Sequence, residues 1–329
     1  MPRAWHLERR PQGMPTPADF ALREIDRPAL AEGEIRVANR WLSVDPYMRG
    51  RMNDAKSYAA PYELGQPMTG GAVGEVIESR ADGFAVGDRV VHMLGWRDEA
   101  VMPAAHANRL PPIPVADQAF LGLFGMPGMT GYFGLLSVAE AKAGETVFVS
   151  AAAGAVGSTV VQIAKAMGMT VIGSAGGARK CDWVRSLGAD HVIDYKAEGS
   201  LVKALGAAAP EGIDVYFDNV GGDHFDAALA HARLGARFAI CGMIENYNDT
   251  APVTLRYLLR IIAARIRIQG LLVSDFLPRA GEFYADMARW AAEGRLKRED
   301  TVMEGLEAMP DAFLGLFSGQ NLGKMLVRV

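Results

Sequence analysis

The sequence predicts an α/β protein in which a doubly wound parallel sheet is joined to a mostly β, barrel-like region. Three observations predict it. From about residue 126 to 300, apolar strands alternate with amphipathic helices, the rhythm of a parallel sheet covered on both faces. From 1 to about 125, short β-like runs are separated by Gly- and Pro-rich turn signals. At the head of the alternating stretch, one strand runs straight into a glycine turn and a helix.

The β-like runs of the first region include Glu34-Ile35-Arg36-Val37, Gly74-Glu75-Val76-Ile77-Glu78 and Asp88-Arg89-Val90-Val91. Turns such as Ala81-Asp82-Gly83 and Val86-Gly87-Asp88 punctuate them. In the second region, strands are predicted over 146–150, 170–173, 191–194, 213–217 and 237–240. Helices are predicted between them over 158–167, 178–187, 199–208 and 224–233. The last stretch predicts a helix and a β-like terminus over 323–329, outside the α/β rhythm. No internal repeat or low-complexity segment stands out.

Bulk properties narrow the class. The chain has 329 residues, which at about 150 residues per domain suggests two domains. Hydrophobic residues are 50% and charged residues 22%, enough for real cores. A net charge of −4 argues against nucleic acid or an anionic membrane as partner. The apolar stretch over 257–273 is interrupted by Arg260, Arg265 and Arg267 and is too short to cross a bilayer. Two cysteines, Cys181 and Cys241, and no signal-like start lead us to expect a reducing, cytoplasmic setting.

The strand over 146–150 leads into Ala151-Ala152-Ala153-Gly154-Ala155-Val156-Gly157-Ser158, a dinucleotide fingerprint with Ala152 in place of the first glycine. Gly154 would let backbone approach a pyrophosphate, and Gly157 would let helix and strand pack closely. The helix N-terminus then offers free N–H groups to phosphate. An NAD site usually carries Asp or Glu at the end of the second strand. Here that place reads Gly173-Ser174-Ala175-Gly176-Gly177-Ala178-Arg179-Lys180, without a carboxylate. Small residues with Arg179 and Lys180 nearby leave room and charge for a 2′-phosphate, which points to NADPH/NADP.

These segments, with Asp194-Tyr195-Lys196 and Phe217-Asp218-Asn219-Val220-Gly221-Gly222, resemble the zinc-free medium-chain double-bond reductases. That family includes prostaglandin/leukotriene reductases, plant 2-alkenal reductases and bacterial curcumin reductase. Further likenesses are Asp45-Pro46-Tyr47-Met48-Arg49, Met126-Pro127-Gly128-Met129-Thr130, Cys241-Gly242-Met243-Ile244 with Tyr247-Asn248, Ile268-Gln269-Gly270 and Asn321-Leu322-Gly323-Lys324. The resemblance covers nearly the whole chain.

It implies a Rossmann nucleotide domain over 126–300 and a GroES-like partial barrel from 1–125 and 301–329, with the nucleotide in the cleft between them. It implies that Ala153, Gly154, Ala155, Val156, Gly157, Pro127 and Thr130 contact the cofactor, and that Lys180 and Tyr195 meet the 2′-phosphate end. Asn219 and the backbone of Cys241, Gly242, Met243 and Ile244, with Tyr247, would line the ribose and nicotinamide. The Leu271-Leu272-Val273 backbone would bind the carboxamide, and Asn321 would reach across from the closing segment. It also suggests a homodimer through the edge over 271–276.

No metal site is expected. Neither cysteine lies in the first region, and His6, His92 and His106 lack ligand spacing. Without a Lewis acid, a conjugated enone is an easier hydride acceptor than a simple ketone. Hydride would add to the β-carbon and charge would reach the carbonyl oxygen, which needs a hydrogen-bond donor. Tyr47, Tyr247 and Tyr257 are the catalytic candidates. Where many eukaryotic members carry a tyrosine ahead of the next strand, this chain reads Ile262-Ala263, so that acid is not carried over to Ala263. The expected activity is NADPH-dependent reduction of a small hydrophobic enal or enone. A zinc-free quinone reductase, or a non-catalytic NADPH-binding sensor, is the alternative. Met93-Leu94-Gly95-Trp96 and Phe276 are expected near the substrate.

Overall fold

The structure, a computed structural model, describes residues 1–249 and 251–329. The chain divides into two compact units, Met1–Leu121 with Asp300–Val329, and Gly122–Glu299.

In the first unit β1 (Arg3–Leu7) and β2 (Phe20–Glu24) form a two-stranded antiparallel ribbon. There follow β3 (Glu34–Ser43), a single helical turn α1 (Met48–Arg51), β4 (Ala72–Ser79), β5 (Arg89–His92), β6 (Glu99–Pro103) and the short β7 (Asn108–Arg109). The second unit carries α2 (Met126–Phe133), β8 (Thr146–Val149), α3 (Ala155–Ala166), β9 (Thr170–Ala175), α4 (Ala178–Ser186) and β10 (His191–Asp194). It continues with α5 (Leu201–Ala208), β11 (Ile213–Asp218), α6 (Gly222–Ala230), β12 (Ala232–Ile240), α7 (Arg260–Ala264), β13 (Arg267–Gly270) and α8 (Ala280–Ala292). Then β14 (Asp300–Glu304), α9 (Met309–Phe317) and β15 (Lys324–Arg328) complete the first unit.

The large sheet of the first unit runs β14-β15-β3-β4-β5-β7, with β6 on β3. The terminal strand pairs antiparallel with β3, Leu326 opposite Ser43. Apolar side chains from both ends of the chain fill its core, among them Leu42, Val44, Met48, Trp96, Phe313 and Met325. Trp96, expected near the substrate, is instead fully buried and stacks on Phe20 at 5.9 Å. Its backbone takes φ 61°, unusual for a bulky residue, and its indole N–H donates to Met48 Sδ.

The second unit has the doubly wound α/β architecture. Its six strands are all parallel, in the order β10-β9-β8-β11-β12-β13. The order reverses between β8 and β11, and in such sheets ligands bind beyond the carboxyl ends of the strands at that point. Phe148, Tyr216, Phe225 and Phe238 pack edge-on or stacked in the core.

Several boundaries differ from the sequence expectation, the strand expected over 237–240 beginning at Ala232 and the helix expected from 199 at Leu201, and two others differ for clear reasons. The helix expected over 224–233 stops at Ala230, because the His231 carbonyl accepts the Ile213 N–H and Ala232 enters the ladder opposite Ile213. The helix expected from 158 starts at Ala155, because Ser158 N–H already bonds to Gly154 O. No helix among the described residues is long and apolar enough to cross a membrane.

Candidate functional site

Five residues join β8 to α3, and their backbone sets the site. Ala151 turns the chain through φ 47°, a left-handed conformation that costs an alanine of order 1 kcal/mol. Ala152, at the first-glycine place, is fully buried and donates its N–H to Ser174 O at 2.9 Å. Its methyl fits because the facing residue is Gly173, where a Cβ would sit 2.9 Å from it. Gly157 is demanded by the fold itself: a Cβ there would lie 2.3 Å from Ala151 O. Gly154 is not. Its nearest obstacle, the same carbonyl, lies at 3.3 Å, so only a few tenths of an ångström must give. Gly154 caps α3 without any side-chain partner, so the N–H groups of Ala155, Val156 and Gly157 open the helix toward whatever lies beyond Ala153.

The carboxyl end of β11 is tied to this loop. Asn219 donates its backbone N–H to Ser150 Oγ and its side-chain amide to Ser150 O, both at 2.8 Å. Beneath it, Asp218 is fully buried. Its Oδ1 accepts from Tyr216 Oη at 2.7 Å, from Ser150 Oγ at 3.1 Å, and from the N–H groups of Val220 and Gly221 at 2.9 Å. Its carbonyl receives the N–H groups of Cys241 and Gly242. Thus the Cys241-Gly242-Met243-Ile244 turn is hung from β11. Burial, with Asp218 nearby, pushes the Cys241 thiol up to about 12. Tyr247 folds back over this turn: a Cβ on Gly242 would lie 2.8 Å from its hydroxyl.

At the end of β9, Lys180 stands in the first turn of α4, half-buried, while Arg179 is exposed. Burial, and then the charge of Lys196, lower the Lys180 ammonium below the ordinary lysine value. The Tyr195 hydroxyl lies over Gly176, where a Cβ would be 2.8 Å away. The Tyr195 ring meets His224 edge-on at 5.2 Å. His224 is buried with Nε2 unpartnered among the described residues, and burial lowers its imidazole to about 4. Ser174 Oγ, fully buried on β9, is likewise without a partner.

The remaining predicted residues of this unit are more local. Pro127 opens α2, and Thr130 donates its hydroxyl to Met126 O at 2.7 Å. The Leu271 N–H donates to Ile240 O at 3.0 Å, and the Leu272 carbonyl accepts the Asp275 N–H at 3.2 Å as a helical turn begins at Val273. Phe276 stacks on Phe133 at 4.9 Å. Tyr257 is exposed, its N–H directed to Asp226 of α6.

In the first unit, Tyr47 starts α1 and packs against the core. Its hydroxyl is buried and has no hydrogen-bond partner among the described residues. Burial, then Asp45, raises its phenol far above the ordinary tyrosine value. The segment is anchored by a buried ion pair, Lys324 Nζ to Asp45 Oδ1 at 3.1 Å, with Lys324 also donating to Val44 O at 2.7 Å. Ser43 Oγ donates to the other Asp45 oxygen. Asn321 donates its side-chain amide to Gly323 O at 3.0 Å, shaping the turn before β15. Sequence reasoning named neither Ser150 nor the Asp45–Lys324 pair as site-building. Their motifs were visible, but their pairing spans 280 residues for the Lys324 bond to Val44.

A doubly wound sheet with this loop at its switch point defines a dinucleotide-fold protein. Residues 3–110 match a family described as the N-terminal domain of oxidoreductase, and residues 155–293 one described as zinc-binding dehydrogenase. The NADPH-dependent curcumin reductase of Escherichia coli is 40% identical over 99% of this chain and 96% of its own. The NADP(+)-dependent 2-alkenal reductase of Nicotiana tabacum is 40% identical over 96% of this chain and 94% of its own. The crystal structure of CurA from Vibrio vulnificus in complex with NADPH superposes with a TM-score of 0.94 at 42% identity, covering 99% of both chains. This chain belongs to the zinc-free medium-chain dehydrogenase/reductase family of NADP-dependent oxidoreductases.

Zinc, named in one family description, does not fit the residues present. Both nitrogens of His92 are engaged, Nε2 with Asn39 Oδ1 at 2.9 Å and Nδ1 with the Leu94 N–H at 3.1 Å. Asp45 is held by Lys324 and Ser43. Cys181 is buried with its thiol toward Ala175 O. Among the described residues no three His, Cys, Asp or Glu side chains group as metal ligands do.

Proposed function

We propose that this oxidoreductase reduces the carbon–carbon double bond of α,β-unsaturated aldehydes and ketones, with Tyr47 as hydrogen-bond donor to the substrate carbonyl. The observation that carries the reading is the Tyr47 hydroxyl, buried and without a hydrogen-bond partner among the described residues. A buried donor left unmade costs about 1–3 kcal/mol, which an incoming carbonyl oxygen offsets. Its raised pKa keeps the phenol neutral across physiological pH. NADPH, when bound, supplies hydride to the β-carbon. As negative charge reaches the carbonyl oxygen, the Tyr47 O–H bond to it strengthens, so the transition state is favoured over the ground state. The same raised pKa makes Tyr47 a poor proton donor, and the α-carbon proton is assigned to Tyr247 or water.

In this reading the N–H groups from Ala153 to Gly157 hold the pyrophosphate, and Lys180 and Tyr195 hold the 2′-phosphate. Asn219, the turn of Cys241, Gly242, Met243, Ile244 and Tyr247, and the Leu271, Leu272 and Val273 backbone serve the ribose and nicotinamide. Pro127, Thr130 and Asn321 complete the set, and Tyr257 has the weakest case, being exposed on another segment. The room that the protein's own atoms leave at Gly154 supports the phosphate assignment. The names of the relatives support both the cofactor and the substrate class.

A second copy of the chain is the proposed partner. β13 ends the sheet with all four residues exposed, Ile268 among them, and Leu259, Ile262 and Leu272, near it in sequence, are exposed as well.

The test is NADPH consumption with a panel of enals, enones and quinones, with product analysis. Conversion of enals and enones to the saturated carbonyl, slower with NADH and indifferent to EDTA, is expected. Turnover of quinones alone, or of nothing, overturns the reading.

A further inference from the structure

The end of β10 carries an acid that the proposed chemistry does not use. Asp194 is the last residue of β10, and its Oδ1 accepts the Gly177 N–H at 2.9 Å and the Lys196 N–H at 3.1 Å. Gly177 belongs to the β9–α4 turn and Lys196 to the β10–α5 turn, so one oxygen joins two loops that are otherwise separate in sequence. Each loop carries a cation. Lys180 is the third residue of α4, and Gly177, at φ 90°, is the residue from which that helix starts. Lys196 follows Tyr195, and both cross over Gly176, where a Cβ would lie 2.8 Å from Tyr195 Oη and 2.9 Å from Lys196 Cε.

The charge arrangement is unusual for a structural cluster. Burial, and then the charge of Lys196, lower the Lys180 ammonium, and neither lysine forms an ion pair among the described residues. Asp194 lies between them in sequence, yet its hydrogen bonds go to backbone N–H groups. Those same bonds, the Gly177 N–H foremost, hold its carboxyl below the ordinary aspartate value. A carboxylate held by backbone donors acts as a fixed staple, and it leaves the two ammonium groups to an outside anion.

We infer that Asp194 is a positioning residue for the choice of NADPH over NADH, stapling the Gly177 turn to the Lys196 turn so that Lys180, Tyr195 and Lys196 converge on one phosphate. The inference rests on the 2′-phosphate reading given above. It adds Lys196 as a phosphate contact and Asp194 as the residue that acts through Gly177 and Lys196 without touching the ligand.

The test compares dissociation constants for NADPH and NADH, by fluorescence titration, in Asp194→Ala, Asp194→Asn, Lys196→Ala and Lys180→Ala. Asp194→Ala removes the acceptor. NADPH should bind about tenfold more weakly, the size of one lost hydrogen bond to a charged group, with NADH changed by less than about threefold. Asp194→Asn keeps an acceptor oxygen, so NADPH preference should be retained, and removal of a negative charge near the phosphate should if anything tighten it. Lys196→Ala should also weaken NADPH selectively. Equal loss of both nucleotides in Asp194→Ala, no loss of either, or an Asp194→Asn variant as impaired as Asp194→Ala overturns the staple. Lys180→Ala separates the two levels: if it weakens NADPH and NADH equally, the 2′-phosphate reading itself fails. If it is selective while Asp194→Ala is not, only the staple fails.

Discussion

The loop between β8 and α3 and the turn that carries Tyr47 are built in opposite ways. The loop is held mainly by main chain, Ala152 N–H on Ser174 O, Ser158 N–H on Gly154 O and a glycine where a methyl would strike Ala151 O, with only Ser150 tied by side chains to Asp218 and Asn219. Nearly every such contact lies within two adjacent strand–helix units. The Tyr47 turn is held by side chains drawn from the two ends of the sequence, above all by Lys324 on Asp45. The contrast teaches that a site which recognises a constant chemical group can be made from short-range backbone geometry. The Tyr47 turn, proposed to act on a reacting bond, leaves one hydroxyl without a partner among the described residues inside a core assembled from afar.

The largest effect should come from the tyrosine side. Lys324→Met leaves Asp45 buried without its cation, and breaking such a pair costs about 3–5 kcal/mol. Thermal or urea unfolding should show it. A neutral result would mean that the turn is held by packing, and the contrast would blur.

The next effect depends on pH and comes from the nucleotide side. Folded His224 stays neutral down to about pH 4, whereas in the unfolded chain an imidazole takes its proton near the ordinary value of 6.5. Between these values the unfolded state binds more protons. Stability contributed by His224 is therefore complete above about pH 6.5 and is lost as pH falls toward 4, on the order of 3 kcal/mol. His92, lowered to about 3 by burial, pulls in the same direction. The unfolding midpoint followed against pH should flatten in His224→Phe. An unchanged slope would move the acid sensitivity to the other unit.

Tyr47→Phe should lower kcat with an enone by about a hundredfold, the cost of one oxyanion donor. The same change should leave stability unaltered or slightly raised, because the hydroxyl has no partner to lose among the described residues. Loss of turnover together with loss of stability would make Tyr47 an ordinary core residue.

Two glycine variants sharpen the other half of the contrast. Gly157→Ala should destabilise the fold by about 1–3 kcal/mol through collision with Ala151 O. Gly154→Ala should fold nearly normally and weaken NADPH binding about tenfold. If both behave alike, Gly154 serves the fold and not a ligand.

Much of the nucleotide side was legible in the sequence because its determinants are local. A strand, two glycines, a helix and the missing acid after β9 all lie within about thirty residues, and such patterns carry their geometry with them. The exchange of Ala152 for glycine was also legible, but its compensation by Gly173 was not, since that requires the facing strand. The tyrosine side was legible only as a motif. Nothing in Asp45-Pro46-Tyr47 shows that Lys324 will complete it, or that Trp96 will be sealed in the core behind Met48. The end of α6 was misplaced because a backbone bond from Ile213 to His231 decides it, and helical periodicity cannot see a neighbouring strand.

The two cysteines carry a consequence for durability. Electron-poor alkenes alkylate thiols through the thiolate, and a thiol that stays protonated is a slow target. Cys241 is pushed up to about 12, and burial raises Cys181 as well. Under the proposed reaction the enzyme meets such alkenes at every turnover, and it keeps both sulfhydryls in the protonated form that such substrates alkylate slowly.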